Sequence, residues 1–135
     1  MDKHPVWDNI NEAFAYRDDE SREDYEERMR SKGCSIFYPK DNQLQIDIDS
    51  YEQGERFVLN LNLLRDNIKN IEIVKDVPSK SGEDHRHITI ELPFKITDIE
   101  RVAFQAALGS DPRRELLSIL RILKGDSKPT LFAEI

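Results

Sequence analysis

The sequence has a single cysteine, Cys34, among its 135 residues, so no disulfide can form within one chain. Its neighbours offer nothing to activate the thiol, which favours a packing role over nucleophilic chemistry. The patterns C-x-x-C, H-E-x-x-H and G-x-x-x-x-G-K-[ST] do not occur. The sequence therefore gives no support to a structural zinc site, a metalloprotease or a P-loop.

Long apolar runs are also missing. None approaches the roughly 18 residues that a membrane span needs, and the start Met-Asp-Lys-His does not resemble a secretory signal. With one cysteine and 35% charged residues, we expect a cytoplasmic protein with no membrane partner. The length suits one domain built on a single core.

Positive charge is scarce, because the net charge is -7. The segment 18–27 holds seven acidic residues against one arginine, whereas the basic residues gather late in the chain. They are Arg113, Arg114, Arg121, Lys124 and Lys128. This balance argues against a protein whose whole surface binds nucleic acid, so we expect any such contact to be local.

The first 33 residues predict an acidic helical arm, followed by a core domain over 34–135. A thin apolar stripe recurs at helical spacing near the start, and Ser21 can cap a second helix that ends at Gly33. The stripe consists of Val6, Trp7, Ile10 and Phe14. We expect the arm to pack on the core domain or on a partner such as a second copy of the chain.

The core domain alternates between strand and helix periodicity. The pattern predicts a short strand at 35–38 in a hairpin with a strand at 44–50, a helix over 51–70, strands at 71–74 and 85–92, helices from about 97 and 112, and a strand at 130–133. From residue 44 onward this order is typical of a ferredoxin-like or RRM-like α+β fold. The right-handed crossover rule then places the strands 44–50 and 85–92 side by side, with helices on one face of an antiparallel sheet and the other face open.

The strand 44–50 carries an unusual polar face. Leu44, Ile46 and Ile48 share one side, which leaves Asp47 and Asp49 together on the other. Aspartate is disfavoured in strands, and like charges at this spacing repel each other. A solvated polar face is one interpretation. The other is a site where both carboxylates converge on one divalent cation or a pair of them.

A histidine is predicted to lie on the same surface. The polar turn Ser79–Asp84 leads into a strand whose outer face holds His85, His87, Thr89 and Glu91. If this strand neighbours the strand at 44–50, His87 meets Asp47 and Asp49. Taken alone, His87 can also be an ordinary exposed polar residue, and His85 competes with it for a functional role.

From Leu44 to Lys124 the sequence resembles the archaeo-eukaryotic primase superfamily, which includes the primase-polymerases of plasmids and phages. The three motifs that carry the resemblance are QIDIDS, SKSGEDHRHITI and LGSDPRRELLSILRILKGD. By this resemblance Asp47 and Asp49 bind metal, His87 contacts nucleotide phosphate, and Asp111 is a further metal ligand. From the residues alone, Asp111 before Pro112 is an ordinary helix cap.

The resemblance implies a nucleotidyltransferase for DNA replication or priming. Its catalytic residues would be Asp47, Asp49 and His87, with two Mg²⁺ or Mn²⁺ ions held by the three aspartates. Arg113, Arg114 and the turn containing Ser81 would help His87 to bind the nucleotide. The implied partners are a nucleoside triphosphate, single-stranded or primed DNA, and a replication protein bound through the N-terminal arm.

A non-catalytic alternative stays open, in which a primase-derived domain serves as a binding or regulatory module. Small size and acidity favour it. An RNA-recognition domain fits less well, because such sheets stack bases on aromatic side chains of the central strands. Here those positions hold aspartate, histidine and threonine.

Overall fold

A computed structural model describes residues 20–79 and 82–135; Ser81 and the predicted helix with Trp7 lie outside the described residues, as do the side chains of 82–84. The described residues form an α+β fold, as predicted. Its elements are α1 (Arg22–Ser31), β1 (Ser35–Phe37), β2 (Gln43–Ile48), α2 (Tyr51–Asn67), β3 (Glu72–Ser79), β4 (Gly82–Glu91), α3 (Asp98–Ala107), α4 (Pro112–Leu123) and β5 (Phe132–Glu134).

The larger sheet is antiparallel, with the strand order β2-β4-β3. In the register of β2 and β4, Asp47 lies opposite His87. This arrangement is consistent with a ferredoxin-like fold, in which the first and third strands are neighbours. The predicted adjacency of the two motif-bearing strands is therefore confirmed.

The predicted hairpin between residues 35–38 and β2 is wrong. Strand β1 instead pairs antiparallel with β5 in a separate two-stranded sheet, with Ile36 opposite Ala133. This small sheet lies against the polar face of the larger one, where the Gln45 side chain donates to the Phe37 carbonyl over 3.0 Å. The polar face is consequently less open than the sequence indicates.

Side chains from the helical half of the chain occupy the outer edge of β2, which explains why no described strand pairs there. Gln105 Oε1 accepts from the Gln45 amide at 2.8 Å, and Ser110 Oγ accepts from the Asp47 amide at 2.9 Å. The Arg101 guanidinium donates to the Gln43 carbonyl at 2.9 Å. Buried backbone groups need partners, and here α3 and the loop after it supply them in place of a strand.

The main core lies on the apolar face of β2 and β4, where α2 and α3 cover it. Leu44, Ile46 and Ile90 have no exposed surface, and Phe57 and Leu61 of α2 pack into the same cluster. Burying one such side chain contributes about 1.5–3 kcal/mol. The alternation that buries these residues fixes Asp47 on the opposite face.

Helix α1, the described part of the predicted arm, packs on the rest of the domain. Met29 forms a small second core with Cys34 and Ala133. The Arg22 guanidinium pairs with Asp126 at 3.0 Å and donates to the Tyr38 hydroxyl at 2.8 Å. Cys34 is buried in this contact, which agrees with a packing role.

None of the helices in the described ranges combines the length and the apolar character that crossing a bilayer requires.

Candidate metal centre

Three carboxylates meet on the polar face of the larger sheet. One oxygen from each of Asp47, Asp49 and Asp111 lies within 4.8 Å of the other two. They line a cleft of about 220 Å³ that also contains Arg113 and Tyr25. Carboxylate oxygens at this spacing can hold a metal ion.

The geometry that brings Asp111 to the strand is built from backbone contacts. The Asp111 amide donates to the Asp47 carbonyl over 2.7 Å. The Gln53 side chain donates to both the Asp47 carbonyl at 3.0 Å and the Gly109 carbonyl at 2.6 Å. Gly109 has a φ of +87°, a conformation that favours glycine, and it turns the chain from α3 toward β2.

Asp111 combines the two roles that the sequence left open. Its carboxylate accepts from the Arg113 amide at 3.4 Å as the N-cap of α4, and it also takes part in the carboxylate cluster. An N-cap aspartate is favoured at a helix start by the local dipole. The cap position is therefore what aims this carboxylate at β2.

The cluster is electrostatically strained. Burial raises the pKa of Asp47 to about 7, and the charges of Asp49, Asp111 and Glu115 act in the same direction against Arg114. Burial and then Asp49 also raise the pKa of Asp111. A bound cation would relieve this repulsion, since opposite charge favours the ionised carboxylate.

His87 lies beside Asp47 and is almost fully buried, with 7% of its surface exposed. Its Nε2 atom is 3.8 Å from Asp47 Oδ1, and its Nδ1 atom is 3.1 Å from Glu134 Oε2. The ring stacks on Phe132 with centroids 4.0 Å apart. The structure thus brings His87 to the carboxylates and encloses it between two acids.

His85, the competing histidine, also reaches the cluster. Its Nδ1 atom is 3.2 Å from Asp49 Oδ1, and the side chain is about one-third exposed. The buried His87 therefore lies beside Asp47, and the more accessible His85 lies beside Asp49.

The two predicted arginines have different environments. Arg113 is exposed and lines the cleft, so its guanidinium is accessible to a ligand. Arg114 donates to Gln45 Oε1 at 2.9 Å, to Glu115 at 2.8 Å and to the Leu131 carbonyl at 3.2 Å. These contacts tie α4 to β2 and give Arg114 a structural role. The predicted nucleotide contact of Ser81 lies outside the described residues.

Sequence reasoning missed the residues that surround His87. Phe132 lies in the final strand that the sequence predicts at 130–133, and Glu134 lies one residue beyond that prediction; nothing in so short a strand indicates which sheet it contacts. Lys75, which pairs with Glu134, sits on β3 and carried no signal either.

Comparisons with protein-family models, with curated proteins and with solved structures returned no match. The chemistry of the cleft therefore has to be argued from its own residues.

Proposed function

We propose that this protein is a divalent-metal-dependent nucleotidyltransferase of the primase type, which adds nucleotides to single-stranded or primed DNA with Mg²⁺ or Mn²⁺. The observation that carries the proposal is the convergence of Asp47, Asp49 and Asp111 beside His87 on one face of an RRM-like sheet. An all-oxygen set of carboxylates suits Mg²⁺ and Mn²⁺.

Each part of the cleft has a defined task in this proposal. Asp47, Asp49 and Asp111 bind the ions, which when bound would supply Lewis-acid stabilisation of the triphosphate and of an attacking 3'-hydroxyl. The exposed Arg113 binds phosphate oxygens at the edge of the cleft. Arg114 holds α4 in place and moderates the negative charge at Asp47.

The size of the cleft limits what it encloses. At about 220 Å³ it lies below the roughly 300 Å³ typical of small-molecule pockets. In this proposal the ions and the phosphates of a nucleotide occupy the cleft, and the sugar and base lie outside it.

A binding or regulatory module is the second candidate, and two observations favour it. His87 is buried between Asp47 and Glu134, and Arg114 is engaged by Gln45 and Glu115. Both were expected to touch nucleotide. In this alternative the carboxylates bind a cation that stabilises a surface for a partner.

A primer-extension and priming assay separates the two candidates. The full chain is incubated with Mn²⁺ or Mg²⁺, labelled nucleoside triphosphates, and single-stranded or primed DNA. We expect wild-type activity and a loss of at least about 10³-fold in Asp49→Asn, because groups that stabilise transition-state charge are worth several kcal/mol.

Asp66→Asn is the matched control, since it makes the same charge change on the exposed surface of α2, across the sheet from the cleft. It should retain full activity. If the wild type and Asp49→Asn are equally inert while both bind DNA or a protein partner, the catalytic proposal is wrong and the binding module replaces it.

A further inference from the structure

The buried imidazole of His87 is held by a set of residues that the proposed function does not use. Glu134 Oε2 lies 3.1 Å from Nδ1, and the Phe132 ring stacks on the imidazole with an interplanar angle of 4°. Lys75 pairs with the same Glu134 carboxylate. The ring is therefore fixed in both position and rotation.

These contacts determine where the ring carries its proton. The Glu134 carboxylate pairs with the Lys75 side chain, and a carboxylate held in an ion pair accepts hydrogen bonds. Nδ1 must then be the donor. In a neutral imidazole the lone pair consequently lies on Nε2, the nitrogen that faces Asp47.

The Nε2 atom lies where it could bind an ion that Asp47 also binds. His87 lines a cavity of about 140 Å³ together with Asp47 and Asp49. Nε2 and Asp47 Oδ1 are 3.8 Å apart, beyond the range of a good hydrogen bond. Neighbouring ligands about 2.1 Å from one six-coordinate ion lie about 3.0 Å apart, so a closure of about 0.8 Å would suffice.

We propose that His87 Nε2 is a nitrogen ligand to a divalent ion shared with Asp47, and that Glu134 is the positioning residue that holds His87 in the tautomer this requires. The inference rests on the metal site of the proposed function and deepens it. It replaces the phosphate contact that the resemblance implied for His87.

The ligand set has a consequence for the choice of metal. Imidazole nitrogen is a better ligand for first-row transition ions than for Mg²⁺, which prefers oxygen. The site should therefore bind Mn²⁺ more tightly than Mg²⁺. Outer partners such as Glu134 typically change metal affinity by about 10- to 100-fold when they are replaced.

Pulsed electron paramagnetic resonance of Mn²⁺ bound to the full chain tests the ligand directly, because a coordinating imidazole gives a ¹⁴N modulation. His85 and His87 form a matched pair for this experiment, since both lie near the carboxylates. The modulation should persist in His85→Gln and vanish in His87→Gln. A modulation that survives in His87→Gln, or that is lost in His85→Gln, overturns the proposal.

The role of Glu134 is tested with ¹⁵N NMR of the His87 ring and with Mn²⁺ titrations. When the ring of the metal-free wild type is neutral, we expect its proton on Nδ1 and none on Nε2; a neutral ring with its proton on Nε2 overturns the proposal. Glu134→Gln should reduce the Nδ1-protonated population and weaken Mn²⁺ binding at least about 10-fold. Glu91→Gln, on the same strand face as His87, should change neither.

The outcomes also separate this inference from the proposed function. Mn²⁺ bound without nitrogen, together with Asp49-dependent activity, overturns the His87 ligand and leaves the nucleotidyltransferase intact. A nitrogen-coordinated Mn²⁺ in a protein without activity upholds the ligand and removes the enzyme. A wild-type chain that binds no Mn²⁺ overturns both.

Discussion

Two groups of carboxylates lie close together in this fold and are held in opposite ways. Glu115 is 2% exposed and accepts hydrogen bonds from Gln105 at 2.6 Å, Ser110 at 2.7 Å and Arg114 at 2.8 Å. The Asp47, Asp49 and Asp111 carboxylates instead have one another as close neighbours. Glu115 is thus surrounded by hydrogen-bond donors, whereas the three aspartates lie close enough to repel one another.

The difference assigns a structural role to Glu115 and a functional role to the three aspartates. A buried carboxylate with donors and a cation links elements, and here Glu115 joins α3, α4 and the loop between them. Burial, and then the charges of the neighbouring aspartates, raise the pKa of Asp47 and of Asp111, so the ionised cluster costs stability in the absence of a ligand. Such strain is typical of functional sites.

The largest expected effect on stability is at Glu115, the acid with three hydrogen-bond donors. Glu115→Ala removes the partner of Arg114, Gln105 and Ser110 at a fully buried position. Breaking a buried pair in this way typically costs about 3–5 kcal/mol. Urea unfolding in EDTA measures the loss, with the exposed Glu55→Ala of α2 as a control that should change stability by less than about 0.5 kcal/mol. A loss at Glu115 below about 1 kcal/mol would remove the basis of the comparison.

Asp47→Asn should instead increase the free energy of unfolding of the metal-free protein. Because the folded pKa of Asp47 is raised from 3.8 to about 7, its folded form holds a proton that the unfolded chain releases. Stability from this group is present below about pH 4 and is lost as the pH rises to about 7. The asparagine variant should therefore gain on the wild type across that window, by up to about 4 kcal/mol.

Unfolding free energies of the two proteins in EDTA from pH 4 to pH 8 measure this gain. Asp66→Asn, exposed on α2, should follow the wild type throughout. A gain for Asp47→Asn that does not grow with pH would show that Asp47 ionises without strain.

Mn²⁺ should offset much of the stability that Asp47→Asn gains over the metal-free wild type. A ligand that binds only the folded state adds about 2.7 kcal/mol at a concentration 100 times its Kd. For a domain of this size that corresponds to a rise in Tm of about 10 °C. Thermal unfolding with and without saturating Mn²⁺ should show this rise in the wild type and little of it in Asp47→Asn. Equal shifts in both proteins would place the ion elsewhere.

The sequence predicted the elements that carry the cluster, because periodicity and capping are local signals. Alternation placed Asp47 and His87 on the polar faces of neighbouring strands, and Pro112 marked the start of the helix that Asp111 caps. The register then followed from the need to bury Leu44 and Ile46. The fold class and the shared face of Asp47, Asp49 and His87 could be predicted for these reasons, whereas Asp111 was added to the group only by the resemblance.

The pairing of the short strands could not be predicted. Strands β1 and β5 have three residues each, too few for a pattern that distinguishes one partner from another. The edge of β2 is satisfied by Gln105, Ser110 and Arg101, and such side-chain contacts across about 60 residues leave no periodic trace. Because the pairing of β1 with β5 was not predicted, the contact of Glu134 with His87 was not predicted either.

The smallest expected effect is at Asp49, and it sharpens the comparison within the cluster. Its side chain is 42% exposed, against 19% for Asp47, and it lies 3.2 Å from the His85 ring. Water screens an exposed carboxylate, so Asp49→Asn should stabilise the metal-free fold by less than about 1 kcal/mol at pH 8. Urea unfolding in EDTA beside Asp47→Asn measures the two gains under the same conditions. A gain at Asp49 as large as that at Asp47 would mean that repulsion among the three aspartates, rather than the burial of one of them, dominates the strain.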